Sequence, residues 1–161
     1  MTNLSDSPFF GNYMMIMMLW VTRHKPHVDR CASAWLIKRF IDKDAKFEFI
    51  SKDDPIPHDA VAFTLPKAQI KPVEGKLTTY DALIQEYQIQ DAVALMIGEF
   101  IHDFEIYAEE DTNRVKFKET LGLCYVLKDL EKVSKTDNEI IEKAFVVLDA
   151  FHASLLDAHE Q

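Results

Sequence analysis

The sequence predicts an α+β domain in which helix dominates, with a small sheet of about three short strands packed among about five helices. Three observations point there. Strand-like runs are confined to the first part of the chain. Helical periodicity fills most of the chain after Thr78. A content of 48% hydrophobic and 28% charged residues is a globular balance, and 161 residues suffice for one core without disulfide or metal staples.

"LWVTR" (19–23) has strand character, and a turn at Pro26 leads to a helix from Asp29 to about Asp42. "AKFEFIS" is the clearest strand, because Phe47 and Phe49 alternate with Glu48. The proline-bearing "DDPIPHD" connects it to a third strand in "AVAFTL". Pro66, Pro72 and Gly75 mark a loop, after which Thr78 or Thr79 caps a helix through Tyr87. Further helices are expected over 91–107, 114–130 and 137–157, the last opened by acids as the helix dipole favours. Residues 1–18 are expected to be a flexible N-terminal extension, within which Met14, Met15, Met17 and Met18 allow a later translation start, and residues 19–161 a single domain.

A net charge of -9 opposes direct nucleic-acid binding. The apolar run "FFGNYMMIMMLWV" is shorter than the roughly 20 residues of a membrane span. Cys31 and Cys124 have no metal or disulfide framework around them, which fits reduced thiols in the cytoplasm. Cys31 follows Arg30 and has surroundings that could activate a thiol, but a small buried side chain is the simpler reading. No nucleophile elbow, phosphate loop or zinc helix is present.

The chemistry concentrates in "IGEFIHDFEI" (97–106), where Glu99, His102 and Asp103 share one sector of an otherwise apolar helix. Buried charges need partners. Arg39, on the face of Ala32, Trp35 and Leu36, is one; Arg30 is another; Asp149 and His152 repeat the acid-x-x-His spacing on the last helix. Carboxylate and imidazole three apart on facing helices can hold a metal, whereas the same residues paired with Arg30 or Arg39 form a structural ion-pair network. Asp29 also reads as an N-cap on a helix starting at Arg30. His24 and His27 read as solvated, and His152 as a histidine partnered within the helix packing.

The run "WVTRHKPHVDRCASAWLIKRFIDKDAKFEFI" (20–50) resembles the opening of the chromate-resistance family, a domain that forms the C-terminal part of a chromate-responsive regulator and also occurs alone. The resemblance continues through "FTLP", "TTYDALIQEYQI", "EFIHDFE" and "AFVVLDAFHA", and so covers nearly all of the chain after Trp20. The family's polar pattern falls on Asp29, Arg30, Arg39, Asp42, Glu99, His102, Asp103 and Asp149. This chain departs from it in lacking a histidine in "IKPVEGKLTTYD", in Glu105 where a shorter acid is usual, and in His152. The resemblance implies a bacterial or archaeal cytoplasmic protein associated with chromate or oxidative stress. The regulator's separate N-terminal region is not seen here, a second ground for expecting no DNA binding.

The leading expectation is therefore a divalent metal (iron, manganese or zinc) held by Glu99, His102 and Asp103 with Asp149 or Asp29, beside Arg30 and Arg39 facing an oxyanion. Were that metal to keep an open position, hydrolytic or redox chemistry would become available, with Asp103 or Asp29 as base. The alternative is a non-catalytic anion sensor or partner-binding module whose polar cluster is structural. Expected partners are a small anion such as chromate and, optionally, a second copy of the chain, with neither nucleic acid nor membrane.

Overall fold

In the computed structural model, which describes residues 18–160, β1 (Leu19–Arg23) lies between β2 (Lys46–Ile50) and β3 (Ala60–Ala62), and both pairings are parallel. The expected flexible extension, apart from Met18, lies outside the described residues. Parallel pairing requires a crossover, and α1 (Val28–Leu36) supplies the one between β1 and β2. Side chains alternate across the sheet. Trp20 enters the main core under the helices, while Val21 enters a smaller cluster with Ala62, Leu65 and Ala68 on the other face.

The remaining helices are α2 (Thr79–Tyr87), α3 (Ala92–Asp103), α4 (Lys118–Asp129) and α5 (Asp137–Glu160). This is the expected helix-dominant α+β architecture, with five α-helices and a three-stranded sheet among the described residues. Two expected helices change character before they end. The first passes into a π-helical turn over Ile37–Ile41, closed by a bond from Asp42 N–H to Ile37 O (2.7 Å), and α3 passes into another over Phe104–Ala108. In the first, Asp42 lies beyond the turn and accepts from the buried Trp20 indole Nε1 (2.9 Å) and from Asp44 N–H (3.1 Å), so the chain leaves the helix where Trp20 holds it. The helix expected over 114–130 begins as a 3₁₀ turn (Thr112–Arg114), and α-helix resumes only at Lys118.

α2 and α3 approach closely at Gly98. A Cβ there would stand 2.8 Å from Tyr80 Cε1 and 3.1 Å from Ile84 Cδ1. The Tyr80 ring is fully buried, and its hydroxyl donates to Ala94 O (2.7 Å), so the ring has no room to withdraw. Gly98→Ala is predicted to lower stability, because overpacking of about 1–3 kcal/mol outweighs a helix-propensity gain of about 1 kcal/mol. Urea unfolding would show a lower midpoint at unchanged slope.

Candidate functional site

Two of the acids singled out from the sequence, Asp103 and Asp29, satisfy helix starts. Asp103, 1% exposed at the end of α3, accepts from Lys116 N–H (2.9 Å to each oxygen), Phe117 N–H (3.1 Å) and Thr120 Oγ1 (2.7 Å). These donors surround the N-terminus of α4, so Asp103 caps a neighbouring helix. Asp29 does the same for α2, accepting from Thr79 N–H (2.7 Å), Tyr80 N–H (3.0 Å) and Ser33 Oγ (3.2 Å). It lies inside the first turn of α1, which begins at Val28, and its capping bonds go to α2 rather than to a helix starting at Arg30. Burial pushes its carboxyl upward, against the pull of the Thr79 and Tyr80 amides.

Glu105, carried by the π turn after α3, takes its place at the start of α1 through the Asp29 amide. Burial first, then the Asp29 carboxylate, push its pKa up to about 7.

Arg30 and Arg39 do not meet the Glu99 stripe. Arg30 donates to Arg23 O (3.1 Å), His24 O (3.1 Å) and Lys25 O (3.4 Å), gathering the loop between β1 and α1. Arg39 forks onto Asp149, Nε to Oδ1 at 3.0 Å and Nη2 to Oδ2 at 2.9 Å, and Trp35 Nε1 donates to the same carboxylate at 2.8 Å. Those bonds, Arg39's foremost, hold the Asp149 carboxyl below its ordinary range. His152 packs against Trp35 and Phe40 and meets Asp91 at 3.3 Å, a partner within the helix packing as expected.

Glu99 and His102 line a groove of about 520 Å³ between α2, α3 and the start of α4, together with Asp81, Tyr107 and Lys116, and with Ile84, Leu95 and Phe117 as apolar walls. His102 Nδ1 meets Asp81 Oδ2 at 2.6 Å. Asp81 also completes a capping box with Thr78. The sequence reading missed this partner, although Thr78-x-x-Asp81 was a usable sign of it.

The residues nominated as metal ligands are thus spread over separate places. Asp29 and Asp103 have their oxygens engaged by capping donors, Asp149 is engaged by Arg39 and Trp35, and Glu99 and His102 face the groove. Among the described residues, no group of three or more His, Cys, Asp or Glu side chains is placed to hold a metal ion. The donor set does not fit one.

A second polar region lies on the loop between β1 and α1. His24 Nδ1 meets Asp137 Oδ2 (2.7 Å), Lys25 N–H donates to Asp137 Oδ1 (2.9 Å), and His27 Nε2 meets Glu131 at 3.1 Å. The loop is therefore latched to the start of α5, and the two histidines read as solvated have carboxylate partners. Lys25 adopts a left-handed backbone (φ 56°), which costs free energy for a side-chain-bearing residue.

A helix-wrapped parallel sheet with a basic βα loop defines a small α+β domain whose polar groups serve chiefly to join its elements. The chain belongs to the ChrB family, the chromate-resistance family its sequence resembles: a family model described as "ChrB, C-terminal domain" matches residues 20–155. It is 28% identical over 134 residues to Protein ChrB of Cupriavidus metallidurans, covering 83% of this chain and 39% of that protein. No solved structure matches. Among the described residues, no helix is long and apolar enough to cross a membrane.

Glu105 makes the stability of the fold pH-dependent. A carboxyl whose folded pKa is about 7, above the ordinary 4.5, binds its proton more tightly in the folded state. Its contribution is full below the ordinary value and lost as pH rises through about 7. Glu105→Gln is predicted to flatten the fall in stability over that window, measured as urea midpoints at a series of pH values.

Proposed function

We propose that the chain is a cytoplasmic, chromate-resistance-associated module that senses a small oxyanion such as chromate without catalysing a reaction, using the loop between β1 and α1. The observation that carries this reading is the placing of Arg30 beside Arg23 at the carboxyl end of the central strand. Burial foremost, and then the Arg23 charge, lower the pKa of Arg30, against the smaller pull of Asp29 and Glu105, while Arg30 Nη1 bonds to Arg23 O. A dianion between the two side chains would relieve their repulsion. In open parallel sheets, ligands commonly dock beyond the carboxyl ends of strands, where the chain order reverses, as it does here between β1 and its neighbours.

The loop also offers a route for a response. Arg30 holds the carbonyls of Arg23, His24 and Lys25, and the same loop is bound to Asp137 at the first turn of α5. An anion that draws Arg30 from those carbonyls would free a strained Lys25 and alter the hold on α5. Arg39 is less suited, because Asp149 already occupies its fork. No metal enters the reading, since Asp29 and Asp103 are engaged as caps and Asp149 by Arg39 and Trp35, which leaves Glu99 and His102 too few to hold one.

Calorimetric titration with chromate at low ionic strength tests this, since screening weakens exposed ionic contacts. Arg30→Ala and Arg23→Ala should each weaken binding by about tenfold or more, the loss of a charged hydrogen bond. Arg39→Ala should leave it nearly unchanged. Binding that survives Arg30→Ala and disappears with Arg39→Ala would contradict the proposal, as would no binding by the parent.

A further inference from the structure

The groove between α2, α3 and the start of α4 is lined by no residue of the basic loop and has features the anion reading does not use. We infer that it is a second small-molecule site, one that takes an aromatic ligand bearing a hydroxyl group. Its volume of about 520 Å³ falls within the range of small-molecule pockets. Ile84, Leu95, Phe117 and the Tyr107 ring provide apolar and aromatic surface, the lining expected where a flat ring is held.

The polar group that would orient such a ligand is already fixed. Asp81 Oδ2 accepts from Thr78 N–H (3.0 Å), so toward His102, 2.6 Å away, the same oxygen also acts as an acceptor. The proton between them therefore sits on Nδ1, and the neutral tautomer that this bond selects carries its lone pair on Nε2. With Nδ1 engaged by Asp81, Nε2 is the ring nitrogen left for a ligand, and the side chain, 32% exposed, lines the groove. Asp81 belongs to the capping box of α2, which makes this acceptor rigid.

The groove's charges do not repel a neutral phenol. Asp103 is satisfied by its four contacts, Asp81 by Thr78 and His102, and Glu99 stands exposed on the rim. Lys116 Nζ lies 4.6 Å from the centre of the Tyr107 ring and 3.4 Å from its hydroxyl, so the far wall presents a donor for a second polar substituent. In the bound ligand the hydroxyl keeps its proton and donates to His102 Nε2, while the ring lies between Leu95 and Phe117. No bond is made or broken.

The test uses 4-fluorophenol followed by fluorine NMR, with fluorobenzene as the probe lacking the hydroxyl. Saturable binding of 4-fluorophenol is expected, with binding of fluorobenzene about tenfold weaker, the effect of one buried hydrogen bond. His102→Ala should cost 4-fluorophenol the same factor. Leu95→Trp, which puts a bulkier side chain on the groove wall and leaves Asp81 and His102 unsubstituted, should abolish binding of both probes, and circular dichroism checks that each variant is folded. Arg30→Ala should change nothing, which separates this inference from the anion site. No saturable binding, or equal affinity for the two probes, would overturn it, as would binding that survives Leu95→Trp.

Discussion

The unpaired amides at helix starts are the constraint on which the rest of this structure depends. Every helix begins with amides that have no partner within the helix itself. Here two of those needs are met by carboxylates from other helices: Asp29 of α1 serves α2, and Asp103 of α3 serves α4. Each bond of this kind contributes about 1 kcal/mol, more when its loss would strand a buried group. Because each acid is borne by one helix and spent on another, the caps also set which helices are neighbours. The groove beside His102 exists because Asp81 and Asp103 hold the starts of α2 and α4 against α3.

The same constraint explains where positive charge remains available. Asp29 and Asp103 spend their hydrogen bonds on amides, so Asp29 acts on Arg30 only through its charge. Arg39 secures Asp149 at the surface, where both partners are substantially exposed and the pair contributes at most about 1 kcal/mol. Arg30 has only backbone carbonyls for hydrogen-bond partners and sits near Arg23. In a chain of net charge -9 this leaves one basic loop at the end of the central strand, tied through Asp137 to the longest helix. A binding event there would act on a strained, multiply anchored segment, the kind of element that can hold two arrangements.

Much of the fold was legible in the sequence. Alternation in "KFEFI" and the 3.6-residue period after Thr78 identified strands and helices, and the placing of Glu99, His102 and Asp103 in one sector agrees with their lining one groove. Trp35 and Arg39, one turn apart, were assigned one face and do meet one carboxylate. The partners were not legible. Asp103 bonds to backbone 13 and 14 residues later, and amides have no side-chain signature. Asp29 likewise reaches residues 50 and 51 positions away, so its local reading as a cap of its own helix gave the right role and the wrong helix. Apolar periodicity also cannot separate an α turn from a π turn, which hid the displacement that brings Glu105 to α1.

The most direct test of this account is amide hydrogen exchange at Lys116 and Phe117, measured before and after treatment with a strong chelator. Both amides precede α4 and depend on the Asp103 carboxylate for their bonds. The account predicts slow exchange at both positions, unchanged by chelation, because the carboxylate is held by the protein's own donors. Fast exchange, or protection that alters when metal is removed, would mean that Asp103 serves a metal and that the capping account is wrong.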